Sequence, residues 1–208
     1  LIASPLAYWL VTSHSPFRAW VSTFVTLPLV VPPTVLGFYL LAVLSPASVV
    51  GQWLNALGIG PLVFSFEGLV LASVIYSMPF VVQPIQNAMQ GVSRQALDLA
   101  ASMGAGPWDR FFNVMLPQAQ AGFLTAVVLG FTHTVGEFGI VLMMGGNIAG
   151  ETRVVSLQLY DHVEALAYSQ AHLLAALLVV FSFAALLLLN IIQNKATVRS
   201  ATVGDSRE

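Results

Sequence analysis

Few side chains in this sequence could do chemistry, and the pair that stands out in an apolar stretch is His133 and Glu137. Their separation of four residues places them on one face of a helix, where an imidazole and a carboxylate can pair. Charge at membrane depth is costly and usually faces a cavity or a partner. Two ligands do not complete a zinc site, so we expect no metal and no bound cofactor. Two roles stay open for Glu137: structural support or gating, and direct contact with a substrate.

Catalytic constellations are missing from the rest of the sequence. Cysteine is absent, and the other histidines (His14, His162 and His172) are scattered, with no His-Glu-x-x-His pattern. A phosphate-binding loop needs Lys followed by Ser or Thr after a Gly-rich turn, but Lys195 stands between Asn194 and Ala196. The sequence therefore predicts a protein that is not an enzyme, and any ATP hydrolysis must come from a partner.

The elements that hold these residues are apolar. Hydrophobic residues make up 57% of the 208 residues and charged residues 8%, against roughly 25% charged in a soluble domain. The mean hydropathy is +0.84. The net charge of -2 offers no basic field for nucleic acid. Stretches long enough to cross a bilayer occupy residues 20–44, 66–85, 119–143 and 171–192, with a partial span near 1–12.

These spans are predicted to be helices, because a backbone in lipid must satisfy its own hydrogen bonds and no strand-like alternation is present. Six of the seven basic residues fall in alternate connections and the polar tail 193–208, whereas Arg153 alone falls in the opposite connections. The positive-inside rule then places the 86–118 loop and the C-terminus in the cytoplasm.

The 86–118 loop carries a helical pattern of its own. Gly104 and Gly106 are predicted to stop a first amphipathic helix, Pro107 to open a second, and Leu116-Pro117 to end it before the next span. The exposed apolar surface that results has two interpretations, a partner protein or the lipid surface.

Two further features indicate helix packing. Gly122, Ala126, Gly130 and Thr134 recur every four residues and allow close helix approach, either within the chain or across a dimer seam. Pro32 and Pro33 remove backbone donors and should kink or break the first full span. That break predicts either a pore wall or a packing kink.

The loop residues resemble the EAA loop of permeases from ABC importers. Asp98 stands for the family's usual Glu, and Ala100, Gly104 and Leu116-Pro117 match its spacing. The resemblance implies an all-α, type I (MetI-like) transmembrane bundle with a coupling loop that docks on a cytoplasmic ATPase. The residues implied in that coupling loop are Asp98, Ala100, Gly104, Ala105, Gly106, Pro107, Trp108, Leu116 and Pro117.

A second resemblance covers nearly the whole chain. The segments 136–139 and 145–152 look like permeases for molybdate, tungstate and sulfate, and the segments 160–165 and 27–37 resemble the molybdate branch in particular. It implies residues 1–192 as one permease domain in a bacterial inner membrane, working as a homodimer with an extracytoplasmic molybdate-binding protein. The alternatives are a tungstate, sulfate or thiosulfate permease and an ion-coupled carrier. Candidate path or gate residues are Pro32, Pro33, Thr134, Gly136, Glu137 and Gly139.

The spans contain neutral hydroxyls but no Lys or Arg, which predicts weak, transient contact with an anion inside the membrane. Selectivity should then reside in the separate binding protein. We expect the connection 147–172, with Arg153 and three acidic residues, to contact that protein.

Overall fold

A computed structural model describes the backbone of residues 2–205 and the side chains of residues 2–193. Within that range the chain is helical and contains no strand. Helices α1 to α6 are Ala3–Thr12, Arg18–Thr26, Pro33–Leu44, Val49–Ala56, Phe66–Gln90 and Arg94–Ser102. Helices α7 to α11 are Pro107–Arg110, Leu116–Gly136, Gly139–Gly145, Val155–Glu164 and Tyr168–Asp205. Phe111–Met115 forms a π-helical turn between α7 and α8. The predicted all-α class is confirmed.

Among the described residues, three helical segments are long and apolar enough to cross a membrane: Phe66–Gln90, Pro107–Gly136 and Tyr168–Gln193. A fourth candidate is the pair Arg18–Leu29 and Pro33–Leu44, which is bent by 115°. The predicted break at Pro32-Pro33 is therefore confirmed, and residues 20–44 are not one straight helix. Pro32 is extended (ψ 137°) and Pro33 starts α3, because neither proline can donate a backbone hydrogen bond.

The second helix of the 86–118 loop, which begins at Pro107, does not end at the position predicted from sequence. The prediction that Leu116-Pro117 stops it is wrong, since α7, the π-helical turn and α8 run on as one helical segment, Pro107–Gly136. A widened turn just before Pro117 accommodates a residue that has no N–H to give.

The third span ends earlier than expected. Helix α8 stops at Gly136, and residues 139–143 of the predicted span belong to the separate helix α9. The backbone turns at Phe138, whose φ is -124° and ψ is -53°. The helix of the fourth predicted span, α11, continues past residue 192 to Asp205. The side chains of Lys195, Arg199 and Arg207, which support the predicted orientation, lie outside the described residues.

The chain forms two compact units. We call Leu1–Ser22, Phe80–Gly130 and Ser182–Glu208 the loop unit, and Thr23–Pro79 and Phe131–Phe181 the junction unit. The junction unit contains a cluster of buried apolar side chains that gathers residues from α3, α5, α9 and α10. Its members are Leu44, Leu69, Ala72, Tyr76, Ile140, Val141, Met144 and Leu157.

Candidate functional site

The bend of the 86–118 loop is built by local capping. Ser93 caps α6 by accepting from the backbone N–H of Ala96 at 3.4 Å. The helix ends at Ser102, and Gly104 takes a φ of +88° that a residue with a side chain rarely adopts. Pro107 occupies the first position of α7, where its missing N–H costs nothing. The predicted stop and restart of the helix are confirmed.

The tip of this loop carries large apolar side chains with little cover. Trp108 is 76% exposed and Met103 80% exposed. Leu99 and Phe112 are exposed as well. The rings of Trp108 and Phe112 stack with centroids 6.2 Å apart. We call these four side chains the loop tip. Asp98 is exposed on α6, and its backbone carbonyl accepts from the Ser102 hydroxyl at 2.9 Å.

In the loop unit, the small-residue ridge of α8 packs against α5. A Cβ atom on Gly122 would lie 2.3 Å from the Cβ of Ala88 and 2.6 Å from the carbonyl oxygen of Pro84. One on Gly130 would lie 2.6 Å from Val81. Of the two interpretations of the ridge, packing within the chain is therefore the one seen at these positions. No side chain other than hydrogen fits where the helices approach this closely.

In the junction unit, the broken helix meets α9 at glycines. A Cβ on Gly139 would lie 2.8 Å from the Cβ of Pro33, and one on Gly37 would lie 2.8 Å from the Cβ of Met143. The structure thus brings two candidate path residues, Pro33 and Gly139, into direct contact. Pro32 and Gly136 are exposed.

Glu137 lies at the joint between α8 and α9, and its side chain is 8% exposed. Its Oε1 accepts from the backbone N–H of Ile140 at 3.3 Å, so the carboxylate caps the first turn of α9. The hydroxyl of Ser156, on α10, donates to the backbone carbonyl of Glu137. One residue therefore connects three helices.

A band of neutral hydroxyls lies next to this joint. The Ser77 hydroxyl is 3.0 Å from the Thr134 hydroxyl and 3.2 Å from Nδ1 of His133. His133 packs on the ring of Tyr76 at a centroid distance of 5.1 Å. One helical turn from Ser77, the buried hydroxyl of Ser73 has no hydrogen-bond partner among the described residues.

The connection after α9 folds around Asn147 and Thr152. Asn147 takes a φ of +55°, donates to Oδ1 of Asp161 at 2.7 Å and accepts from Nε of Arg153 at 3.1 Å. Arg153 and Asp161 also form an ion pair at 3.6 Å. Thr152 is 1% exposed; its hydroxyl donates to the carbonyl of Gly145 and accepts from the N–H of Ile148.

A second polar pair lies on α10. The Tyr160 hydroxyl donates to Glu164 at 2.5 Å, and this hydrogen bond raises the pKa of Tyr160 above its ordinary value. Like charge on Glu164 adds to the shift.

Sequence reasoning identified Glu137 and Arg153 but missed the residues that hold them. Ser156 is 19 residues from Glu137, and Asp161 is 14 residues from Asn147. The sequence Gly145-Gly146-Asn147 indicates a tight bend. Nothing in the neighbouring sequence predicts that Asn147 bonds to Asp161.

The family comparison fits this architecture. The profile of the family described as "Binding-protein-dependent transport system inner membrane component" matches residues 1–198. The chain belongs to this family. Its match includes the broken helix, the loop and the joint at Glu137.

Individual relatives of the chain are also transport permeases. "Molybdenum transport system permease protein ModB" of Azotobacter vinelandii is 54% identical over 88% of the chain and 81% of its own length. The ModB protein of Escherichia coli K12 is 35% identical over 76% of the chain and 69% of its own length. "Probable sulfate transport system permease protein cysT" of Zygnema circumcarinatum is 33% identical over 91% of the chain and 66% of its own length.

A solved structure shares the fold. The crystal structure of a bacterial alginate ABC transporter in complex with alginate pentasaccharide-bound periplasmic protein matches with a TM-score of 0.74. The match covers 94% of this chain and 72% of that chain at 18% identity. The fold is thus the membrane bundle of an ABC importer permease.

Proposed function

We propose that this chain is the permease subunit of an ATP-driven importer that moves molybdate across the bacterial inner membrane. An extracytoplasmic binding protein delivers the anion, and a cytoplasmic ATPase supplies the energy. The observation that carries the proposal is that Trp108 and Phe112 of the exposed loop tip lie on a helical segment, Pro107–Gly136, that is itself long enough to cross the membrane.

The loop tip has the properties of a docking surface for the ATPase. Its aromatic and aliphatic side chains are exposed, yet Gly104 and Pro107 fix the backbone beneath them. A push on Trp108 therefore moves a helix rather than a slack loop. The residues proposed for coupling remain Asp98, Ala100, Gly104, Ala105, Gly106, Pro107, Trp108, Leu116 and Pro117.

The passage for the anion is assigned to the junction unit. An oxyanion that has lost its water needs hydrogen-bond donors, and the hydroxyl of Ser73, one helical turn from Ser77, has no partner among the described residues and carries no fixed positive charge. Neutral donors hold an anion more weakly than Arg or Lys does. Such a passage releases its cargo quickly and leaves tight selection to the binding protein.

The proposal includes the orientation of the chain in the membrane and its assembly with a second copy. The 86–118 loop and the tail 193–208 face the cytoplasm, and the connection 147–172 faces the binding protein. Two copies of the permease domain, residues 1–192, form the passage as a homodimer. The helix Tyr168–Gln193 supports a lipid or partner contact, since only 6% of its most apolar window is buried within the chain.

Molybdate is preferred over sulfate as the cargo because the ModB relative of Azotobacter vinelandii is 54% identical and the cysT relative 33% identical. Sulfate, thiosulfate and tungstate are the alternative cargoes, and an ion-coupled carrier is the alternative mechanism.

Reconstituted transport tests the proposal. The chain is placed in vesicles with its ATPase subunits and binding protein, and uptake of radiolabelled molybdate is measured with ATP enclosed. We expect uptake that requires both partners and is reduced more by unlabelled tungstate than by sulfate. Uptake that persists with an ATPase unable to hydrolyse ATP would establish the carrier mechanism instead. Stronger competition by sulfate would reassign the cargo.

A further inference from the structure

Two adjoining cavities open in the loop unit between α1 and α7. One of about 380 Å³ is lined almost wholly by apolar atoms, with Ser4, Pro5 and Trp108 among its residues. The other, of about 250 Å³, has polar and apolar walls and includes Thr12 and Arg110. Tyr8, Pro107 and Phe111 line both cavities. We call the first the apolar slot and the second the arginine cavity.

Arg110 is incompletely satisfied in this place. Its Nε atom is buried and makes no hydrogen bond within the described residues. Its neighbour Asp109 accepts a hydrogen bond from the side chain of Asn113. A buried N–H without a partner is unfavourable, and more so on a charged group. Arg110 also lines the arginine cavity, and its fixed positive charge makes that cavity suited to an anionic oxygen.

The walls of the shared region are in contact with one another. The rings of Tyr8 and Phe111 meet edge to face at 5.2 Å, and Phe111 meets Phe112 in the same manner at 5.1 Å. Pro107 fixes the start of α7. Thr12 donates its hydroxyl proton to the carbonyl of Tyr8 at 2.9 Å, so this side chain gives no proton to a ligand. Arg110 is thus the charged donor of the arginine cavity.

We place the cavities near a membrane surface. The loop connects two helical segments that are each long and apolar enough to cross a bilayer, Phe66–Gln90 and Pro107–Gly136, so the end of the first segment and the start of the second are expected near the end of the hydrocarbon layer. An amphiphile with an anionic head and an apolar chain is abundant there, and basic residues at such surfaces attract anionic headgroups.

We infer that the paired cavities bind one anionic phospholipid, with its phosphate on Arg110 in the arginine cavity and an acyl chain in the apolar slot. A free phosphate or oxyanion shares the headgroup chemistry but leaves the apolar slot empty. The adjoining slot favours the lipid. Bound in this way, the lipid packs α1 against the start of α7 directly beside the loop tip. The inference does not depend on which cargo the chain transports.

Native mass spectrometry of the full-length chain tests the inference. The chain is equilibrated with equal amounts of phosphatidylglycerol and phosphatidylcholine in mild detergent, and retained lipids are counted. We expect phosphatidylglycerol to be retained about tenfold more than phosphatidylcholine, as a charge-assisted hydrogen bond provides. Arg110→Gln should abolish this preference. Arg94→Gln is the matched control, since Arg94 belongs to the same loop but is not among the residues lining either cavity.

Two further measurements separate the lipid from a free anion. Ser4→Phe fills the apolar slot and should lower phosphatidylglycerol retention several-fold while Arg110 is intact. Inorganic phosphate and glycerol phosphate in excess should leave the bound lipid in place. Displacement by either small anion, equal loss of preference in Arg94→Gln, or wild-type retention in Arg110→Gln would each overturn the inference.

Discussion

Trp108 and Met103 in the loop unit are 76% and 80% exposed, whereas Thr152 and Glu137 in the junction unit are 1% and 8% exposed. The residues compared thus differ in kind: those of the loop unit are apolar and exposed, and those of the junction unit are polar and buried. The loop tip exposes apolar surface that the described residues do not cover, and such surface usually marks an interaction site. The junction unit buries polar groups and supplies each of these two with a backbone partner. Substitutions in the loop tip should therefore lower transport with little change in stability, whereas substitutions of Glu137 and Thr152 should lower stability.

The largest expected effect is on transport, from Trp108→Ala. Removing the exposed indole should lower ATP-dependent uptake more than tenfold, because large aromatic anchors dominate many interfaces. The free energy of unfolding should fall by less than about 1 kcal/mol, as for most surface substitutions. Uptake in vesicles and thermal denaturation in detergent measure the two quantities on the same preparation.

Trp53→Ala provides the control for this substitution. Trp53 lies on α4 in the junction unit and is 63% exposed. Its replacement by Ala therefore removes a similar exposed aromatic surface away from the loop. Its uptake should stay within twofold of wild type. Equal losses of uptake in both variants would remove the distinction between the loop tip and other exposed aromatic residues.

The loop could be predicted from sequence because its shape depends on neighbours in the chain. Gly104 permits the left-handed turn, and Pro107 starts a helix at its first position. Both effects act within a few residues. The same reasoning failed at Leu116-Pro117, because a π-helical turn absorbs the proline and hydropathy gives no sign of such a turn.

The sequence singled out Glu137 but did not predict the joint at which this residue lies. An apolar run across residues 119–143 looks like one span, and hydropathy does not register a change of backbone direction at Phe138. The contacts that fix the joint join distant parts of the chain, as with Ser156 and Pro33. The break at Pro32-Pro33 was predictable because proline lacks a donor wherever it stands.

The next effect in size is the loss of stability from Glu137→Ala. It removes the acceptor for the N–H of Ile140 at the start of α9, and an unsatisfied buried donor costs about 1–3 kcal/mol. Glu137→Gln retains an oxygen acceptor and should cost less. Denaturation in detergent compares the two variants. If Glu137→Gln keeps wild-type stability but loses uptake, the negative charge itself serves transport and the joint is more than structural support.

Thr152→Val should have a smaller effect on stability. The substitution keeps the shape of the side chain but leaves the carbonyl of Gly145 and the N–H of Ile148 without the hydroxyl. We expect a loss of about 1–2 kcal/mol in the free energy of unfolding. Thr152→Ser retains the hydroxyl and should recover most of that loss. Equal destabilisation by Val and Ser would indicate that the methyl group, not the hydrogen bonds, maintains this turn.

The smallest stability effect is expected from Arg153→Gln. Unlike Glu137 and Thr152, this residue of the junction unit is exposed. Its ion pair with Asp161 spans 3.6 Å between side chains that are 37% and 30% exposed, and pairs of this kind contribute about 0–1 kcal/mol. Arg153→Gln should thus change the free energy of unfolding by less than about 1 kcal/mol. If the connection 147–172 receives the binding protein, uptake should fall several-fold when that protein is scarce and recover when it is in excess. A fall that excess binding protein does not reverse would place Arg153 in the transport step, and unchanged uptake at every concentration would remove it from the docking surface.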